Sequence, residues 1–398
     1  FHAALRVQDI RKVKGFDMPA LIDRALATME AFDGPIHGVA SYWDFPGTVM
    51  VPILARHFGL PGPSMEAVLK CEHKYWSRLE QREVIPDHIP RFQAFDPFDD
   101  DAYAKLGLVP PFWIKPFKSF RSFLAFHIHQ PRELRRALPF IRAHEGFIGE
   151  PFRYILEHYG APGSIAGLKE SFIAESVISG AQCTLEGYVH RGRVAVYGVV
   201  DSVRQPHGSS FARYEYPSSL PLEIKQRMID VIRAALERIG LDNSPFNAEF
   251  FYDQSADHVW LLEINPRSSQ AHSDIFEKVH GISHLSVMVD MALGRKPAPM
   301  ERNGDFSVAA HFMLRVRDDG LVVRTPDEDA IARLKQRFPD VTIKIAVEPG
   351  QRLSELQGQD MYSYELASVF VGGRDQEDLL DKYDVIVAAL RFDIERDR

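Results

Sequence analysis

The chain has little cysteine, only Cys71 and Cys183 in 398 residues. That excludes a disulfide framework, and no CxxC pair or His/Cys spacing suited to zinc is present. No apolar run approaches the roughly 20 residues that a membrane-spanning helix needs, and no secretory leader is visible. The expectation is a cytoplasmic protein with no membrane partner. Excess positive charge is also lacking. A formal net charge of -8 argues against a general nucleic-acid or anionic-membrane binder, because both reward clustered Lys and Arg. The basic run 132–136 is interrupted by Glu133 and reads as a solvated helix face. There is no internal repeat, no Walker lysine in the turn 160–164, and no hydrolase elbow around Ser202, Ser209 or Ser210. The first residues lack a methionine and match no strand, so the first domain is expected to read as incomplete.

What is present is an ordinary globular composition, 45% hydrophobic and 26% charged. A chain of 398 residues is too long for one core, and two or three domains are expected. Periodicity predicts a helix over 18–31, a short parallel strand over 36–42 and a helix over 48–58 closed by Gly59, a small α/β layer. One helix over 67–83 would carry Lys74, and 92–107 reads as an acidic loop with one short helix. Strands are predicted at 113–116, 123–127, 169–177, 183–189 and 194–200, around a helix over 131–144 that opens with proline. The clearest helix is 221–239, where Ile224, Met228, Val231, Ile232, Ala235, Leu236 and Ile239 follow the helical period. Strands 246–252 and 259–265 follow, then helices over 271–279 and 285–293. Strands at 309–316, 321–324, 341–347 and 362–371, with a helix over 376–392, form a last unit.

The most informative stretch is Glu263-Ile264-Asn265-Pro266-Arg267, after the apolar Leu261-Leu262. Strand side chains alternate, so Glu263, Asn265 and Arg267 share one face. If 246–252 pairs with it across the turn 253–257, Glu249 lands beside Glu263. Two carboxylates and an amide carbonyl make a hard-oxygen site suited to Mg²⁺, or Mn²⁺ in its place, held together with substrate phosphates. Taken alone, the same residues also describe a strand whose end reaches solvent. Lys115 lies in the aromatic run Trp113-Ile114-Lys115-Pro116. Burying it is costly unless it faces an anion such as phosphate; otherwise it is a strand-end lysine in water. Lys74 alone is an ordinary helix lysine.

In this order, those features resemble the ATP-grasp superfamily, and within it carboxylate–amine ligases of the L-amino-acid ligase and biotin carboxylase kind. Leu60-Pro61-Gly62-Pro63-Ser64 and Cys71-Glu72-His73-Lys74 resemble the loop and segment that supply a first nucleotide lysine. Residues 113–116 resemble the strand of the second lysine, and 173–180 the hinge strand against which adenine lies. The resemblance runs over 32–293 and more loosely to the end. It implies an α/β fold of the α+β ATP-grasp type: an N-terminal domain 1–90, a two-lobed nucleotide-binding core 91–298 and a C-terminal α+β lobe 299–398. It further implies Lys74 and Lys115 on the phosphates of ATP, Glu175 as the hinge acid and the Ile178 backbone at the adenine edge. Gln182 stands where the family often has an acid for the ribose, and its amide oxygen still accepts a hydrogen bond. Glu249, Glu263 and Asn265 would hold Mg²⁺, and Arg267 would steady the transferring phosphoryl group.

The implied reaction activates a small-molecule carboxylic acid as an acyl phosphate for attack by an amine, with a homodimer as the assembly common in the family. A thiol acceptor, a kinase that stops at phosphorylation and a non-catalytic ATP-binding module remain alternatives. One departure stands out: 118–123 has no glycine where the family has a glycine-rich loop over the phosphates. Lys118, Ser119, Arg121 and Ser122 would replace backbone wrapping by charge and hydroxyl, and the loop argues against biotin carboxylase proper. His272 reads as a helix-start histidine before it reads as a general base. His207 is a candidate contact for the acid substrate.

Overall fold

A computed structural model describes residues 1–10, 17–119, 123–205, 210–356, 359 and 362–396. The predicted loop positions 120–122 and His207 lie outside the described residues. The strands, in chain order, are β1 (Phe92–Phe95), β2 (Phe112–Pro116), β3 (Phe126–Ile128), β4 (Phe172–Ser176), β5 (Ala181–His190), β6 (Arg193–Arg204) and β7 (Phe211–Tyr216). They continue as β8 (Ser244–Asp253), β9 (His258–Asn265), β10 (Val308–Val316), β11 (Leu321–Arg324), β12 (Thr342–Ile345), β13 (Tyr364–Gly373) and β14 (Asp393–Glu395). A small sheet runs β1-β4-β2-β3 and a large one β12-β13-β10-β7-β6-β5-β8-β9, with β11 and β14 as a separate pair. Every ladder is antiparallel, which makes this an α+β architecture.

Alternation along the strands decides what each sheet offers. In the small sheet Phe112, Ile114, Phe172 and Ala174 pack under Leu134, Ala137, Leu138 and Ile141 of the helix Pro131–His144. The other face is left to Trp113, Lys115 and Glu175, since Trp113 pairs with Glu175 and Lys115 with Ile173. In the large sheet Cys183, Leu185, Phe246, Ala248, Leu261 and Ile264 pack against the helix Leu222–Ile239. That helix buries its seven predicted apolar side chains and ends at Gly240, whose φ of 77° is a left-handed cap. The opposite face of the same strands therefore carries Gln182, Thr184, Glu186, Asn247, Glu249, Glu263 and Asn265.

Three expectations need correction. Residues 36–42 form no strand: they pair with no described strand, and among the described residues 1–90 the only regular elements are helices. The single helix over 67–83 is two, Met65–Glu72 and Lys74–Arg82. His73, at φ −92° and ψ 98°, leaves helical geometry, and its Nδ1 accepts from the Trp76 N–H at 3.1 Å as an N-cap. Residues 92–95 are strand β1, because Phe92 to Phe95 pair with Glu175 to Phe172. Periodicity also passed over the helices Gly146–His158 and Glu328–Arg337 and the strands β7 and β14. No described helix is long and apolar enough to cross a membrane.

Candidate functional site

The break at His73 makes Lys74 the first residue of its helix and puts Arg78 one turn later on the same face. That face meets the exposed side of the small sheet and the edge strand β9. The open cleft between them, about 450 Å³, is lined by Lys74, Arg78, Lys115, Glu175, Glu263 and Asn265. Five of the residues singled out from the sequence thus converge from two sheets and one helix.

At the small-sheet end Glu175 is buried, and its Oε2 accepts from Lys115 Nζ at 2.9 Å. Its Oε1 accepts from Arg78 Nε at 2.6 Å. Burial alone would raise this carboxyl; the charges of Arg78 and Lys115 overcome it and bring the pKa down to about 2. Arg78 was missed in the sequence reading, although its spacing from Lys74 was a signal. Its remaining nitrogens donate to Gln81 Oε1 at 2.5 Å and to the Leu262 carbonyl at 2.6 Å, tying the helix to both sheets.

At the other end β8 and β9 pair as expected, with Glu249 opposite Glu263 and Asn247 opposite Asn265. Two carboxylates side by side repel. Burial and the neighbouring Glu263 push Glu249 up to about 7, whereas Glu263, raised by burial, is drawn below its ordinary value by Lys74 and Lys115. Lys74 Nζ stands 3.7 Å from Glu263 Oε2 and donates to the Ser119 carbonyl at 3.2 Å. No group of three or more His, Cys, Asp or Glu side chains suited to a metal occurs among the described residues. The chain can therefore offer a divalent cation a carboxylate pair and an amide, a hard-oxygen donor set. That fits Mg²⁺ completed by phosphate oxygens and water rather than a closed protein cage.

Between the two ends lies a cluster that the sequence reading mostly missed. Asp44 accepts from Lys118 Nζ at 2.8 Å and from Arg267 Nη2 at 2.9 Å, and the buried Glu72 also pairs with Lys118. Burial opposes the charge on Asp44, but Lys118 and Arg267 hold it far below the usual carboxylate range. Nothing in the local pattern of Asp44 marks it, because its partners lie far along the chain. Gln182 bridges Arg204, from which it accepts at 2.5 Å, and Glu249, to which it donates at 2.9 Å. Ile178 is half-buried in the connection 177–180 between β4 and β5 and does not line the cleft.

Residues 108–273 match the profile of a family described as the ATP-grasp domain. This segment is an ATP-grasp domain. The whole chain is similar in structure to the L-amino acid ligase from Bacillus licheniformis, with TM-score 0.72, 17% identity, and 96% of this chain and 86% of that one covered. Phosphoribosylglycinamide synthetase from Anaerococcus prevotii gives TM-score 0.63 and 15% identity over 96% of this chain and 88% of that one. Biotin carboxylase from Campylobacter jejuni gives 0.62 and 16% over 96% and 79%. At these identities the likeness establishes the ATP-grasp fold. No curated protein sequence matches the chain.

Proposed function

We propose that the chain is an ATP-dependent ligase that activates a carboxylate as an acyl phosphate and transfers the acyl group to an amine. The observation that carries this reading is the meeting of Lys74, Lys115 and Arg78 with Glu263 in one cleft, Glu263 having Glu249 as its partner on the neighbouring strand. A phosphate chain laid along that cleft meets Lys115 and Arg78 at one end and Lys74 beside Glu263 at the other. Lys115 and Lys74 turn from Glu175 and Glu263 toward the phosphates, a short movement for a lysine side chain. Glu175 stays ionised because Arg78 still neutralises it, and it anchors the hinge that borders adenine. Glu249, Glu263 and Asn265 hold Mg²⁺, which supplies charge neutralisation on the transferring phosphoryl group. Arg267, released from Asp44, presents a planar donor fork to the acyl phosphate. The L-amino acid ligase of similar fold supports this acceptor class.

The test is ADP release from MgATP with pools of carboxylic acids, with hydroxylamine present to trap an activated acyl group. Acid-dependent ADP and a hydroxamate are expected. Arg267→Lys should lower hydroxamate formation about 10²-fold, the scale of losing one transition-state donor. ADP without a trappable acyl group favours a kinase, and no ADP with any acid favours a non-catalytic binding module.

A further inference from the structure

Beside the metal strands, on the same face of the large sheet, Glu186 sits in β5 with no exposed surface. Its Oε1 accepts from Asn247 Nδ2 at 2.6 Å and lies 2.8 Å from His272 Nδ1. Asn247 in turn accepts from Asn265 Nδ2 at 3.4 Å, so one carboxylate anchors both the metal-strand amides and the histidine. An ionised carboxylate only accepts, so Nδ1 of His272 carries the hydrogen and Nε2 the lone pair.

Neighbouring histidines show what a purely structural one does here. His284 uses both nitrogens, Nε2 against the Ser269 carbonyl at 2.8 Å and Nδ1 against Tyr197 Oη at 3.2 Å. His280 likewise meets Tyr216 Oη at 2.7 Å and the Glu301 carbonyl at 2.9 Å. His272 uses one. Its Nε2 has no hydrogen-bond partner among the described residues. The ring is held edge-on by Tyr214, 4.9 Å between centroids, in the turn Gln270–His272 that follows Arg267. Nearby, Arg267 Nε and Glu186 Oε2 are buried without hydrogen-bond partners among the described residues, so unspent polar capacity collects at this spot. Burial and the Arg267 charge keep His272 neutral, with its pKa lowered to about 3.

We infer that His272 is the general base that takes the proton of the attacking amine, and that Glu186 is the positioning residue that fixes its tautomer. The inference rests on the ligase reading above. The amine arrives as the free base, its ammonium proton already lost to water. Its nitrogen bonds to the acyl carbon, and the bond from that carbon to the phosphate oxygen breaks with its electron pair leaving on phosphate. The remaining ammonium proton passes to His272 Nε2 and then to water. The titratable groups facing the imidazole are Glu186 from β5, Tyr214 from β7, His311 from β10, His284 and Arg267.

The experiment compares amide with hydroxamate formed from the same acid and MgATP, because hydroxylamine attacks acyl phosphates without help from a base. In His272→Gln the ratio of amide to hydroxamate should fall about 10²-fold, the lower end for losing a general base. In Glu186→Gln it should fall about tenfold. Wild-type enzyme should show a rise in this ratio near pH 7, as Glu186 ionises at its raised pKa of about 7, and Glu186→Gln should lack it. Hydroxamate formation itself reports that a variant is folded; if His272→Gln does not fold, Glu186→Gln and the pH profile decide. Unchanged ratios and profile overturn the inference and leave the ligase reading intact. A wild-type protein that gives no acid-dependent ADP overturns both.

Discussion

Glu175 and Glu186 lie on the consecutive strands β4 and β5, both buried, and their carboxyls are displaced in opposite directions. Glu175 is lowered to about 2 and Glu186 raised to about 7, although burial pushes each of them upward. The difference is in the partners. Glu175 has a guanidinium and an ammonium within 2.9 Å, whereas Glu186 has an amide and two imidazoles, His272 and His284, that burial keeps neutral. Depth in the protein therefore does not decide which carboxylate carries charge; the side chains brought to it do. One strand offers a permanent anion that holds cations in place, and the next offers a group poised to change state near neutral pH.

The largest expected effect comes from breaking the first environment. Arg78→Met removes the closer cation from Glu175 and strands acceptors on Gln81 and Leu262. Urea unfolding should show a loss of about 3–5 kcal/mol, typical of a buried pair deprived of one partner. A loss below about 1 kcal/mol would mean that Lys115 alone suffices.

A middle-sized effect sharpens the contrast through pH. For Glu186 the native pKa, about 7, lies above the ordinary 4.5, so between these values the native state holds the proton that the unfolded chain has lost. Stability falls as pH rises through that window. Glu175 runs the other way: its contribution is complete above 4.5 and is lost as pH falls toward 2. Unfolding free energies of wild type and Glu186→Gln at pH 4.5 and pH 8 isolate the first effect. The wild type should lose up to about 3 kcal/mol more than the variant over that interval. Equal losses would remove Glu186 from the balance.

The smallest effect concerns Lys115, which serves Glu175 in the free protein and phosphate in the proposed complex. Lys115→Ala should weaken ADP binding about tenfold by calorimetry, one charge-assisted contact. It should cost little stability, because Arg78 remains on Glu175. Unchanged affinity in a folded variant would take this lysine off the nucleotide.

The sequence by itself determined the parts whose causes are local. The helical period of 222–239 and the alternation of 246–252 and 259–265 were legible because one face of each element is apolar and the other is not. The same alternation set Glu249 against Glu263, and it turned Lys115 away from the core. Tertiary structure alone decided the rest. A strand at 36–42 was readable from composition, yet a strand exists only beside another, and none is described there. Asp44 meets Lys118 and Arg267 across long sequence separations, and Glu186 meets His272 from another strand and turn. A residue's type sets which charges and hydrogen bonds it can make, but its ionisation and its free valence depend on neighbours that only folding brings within a few ångströms.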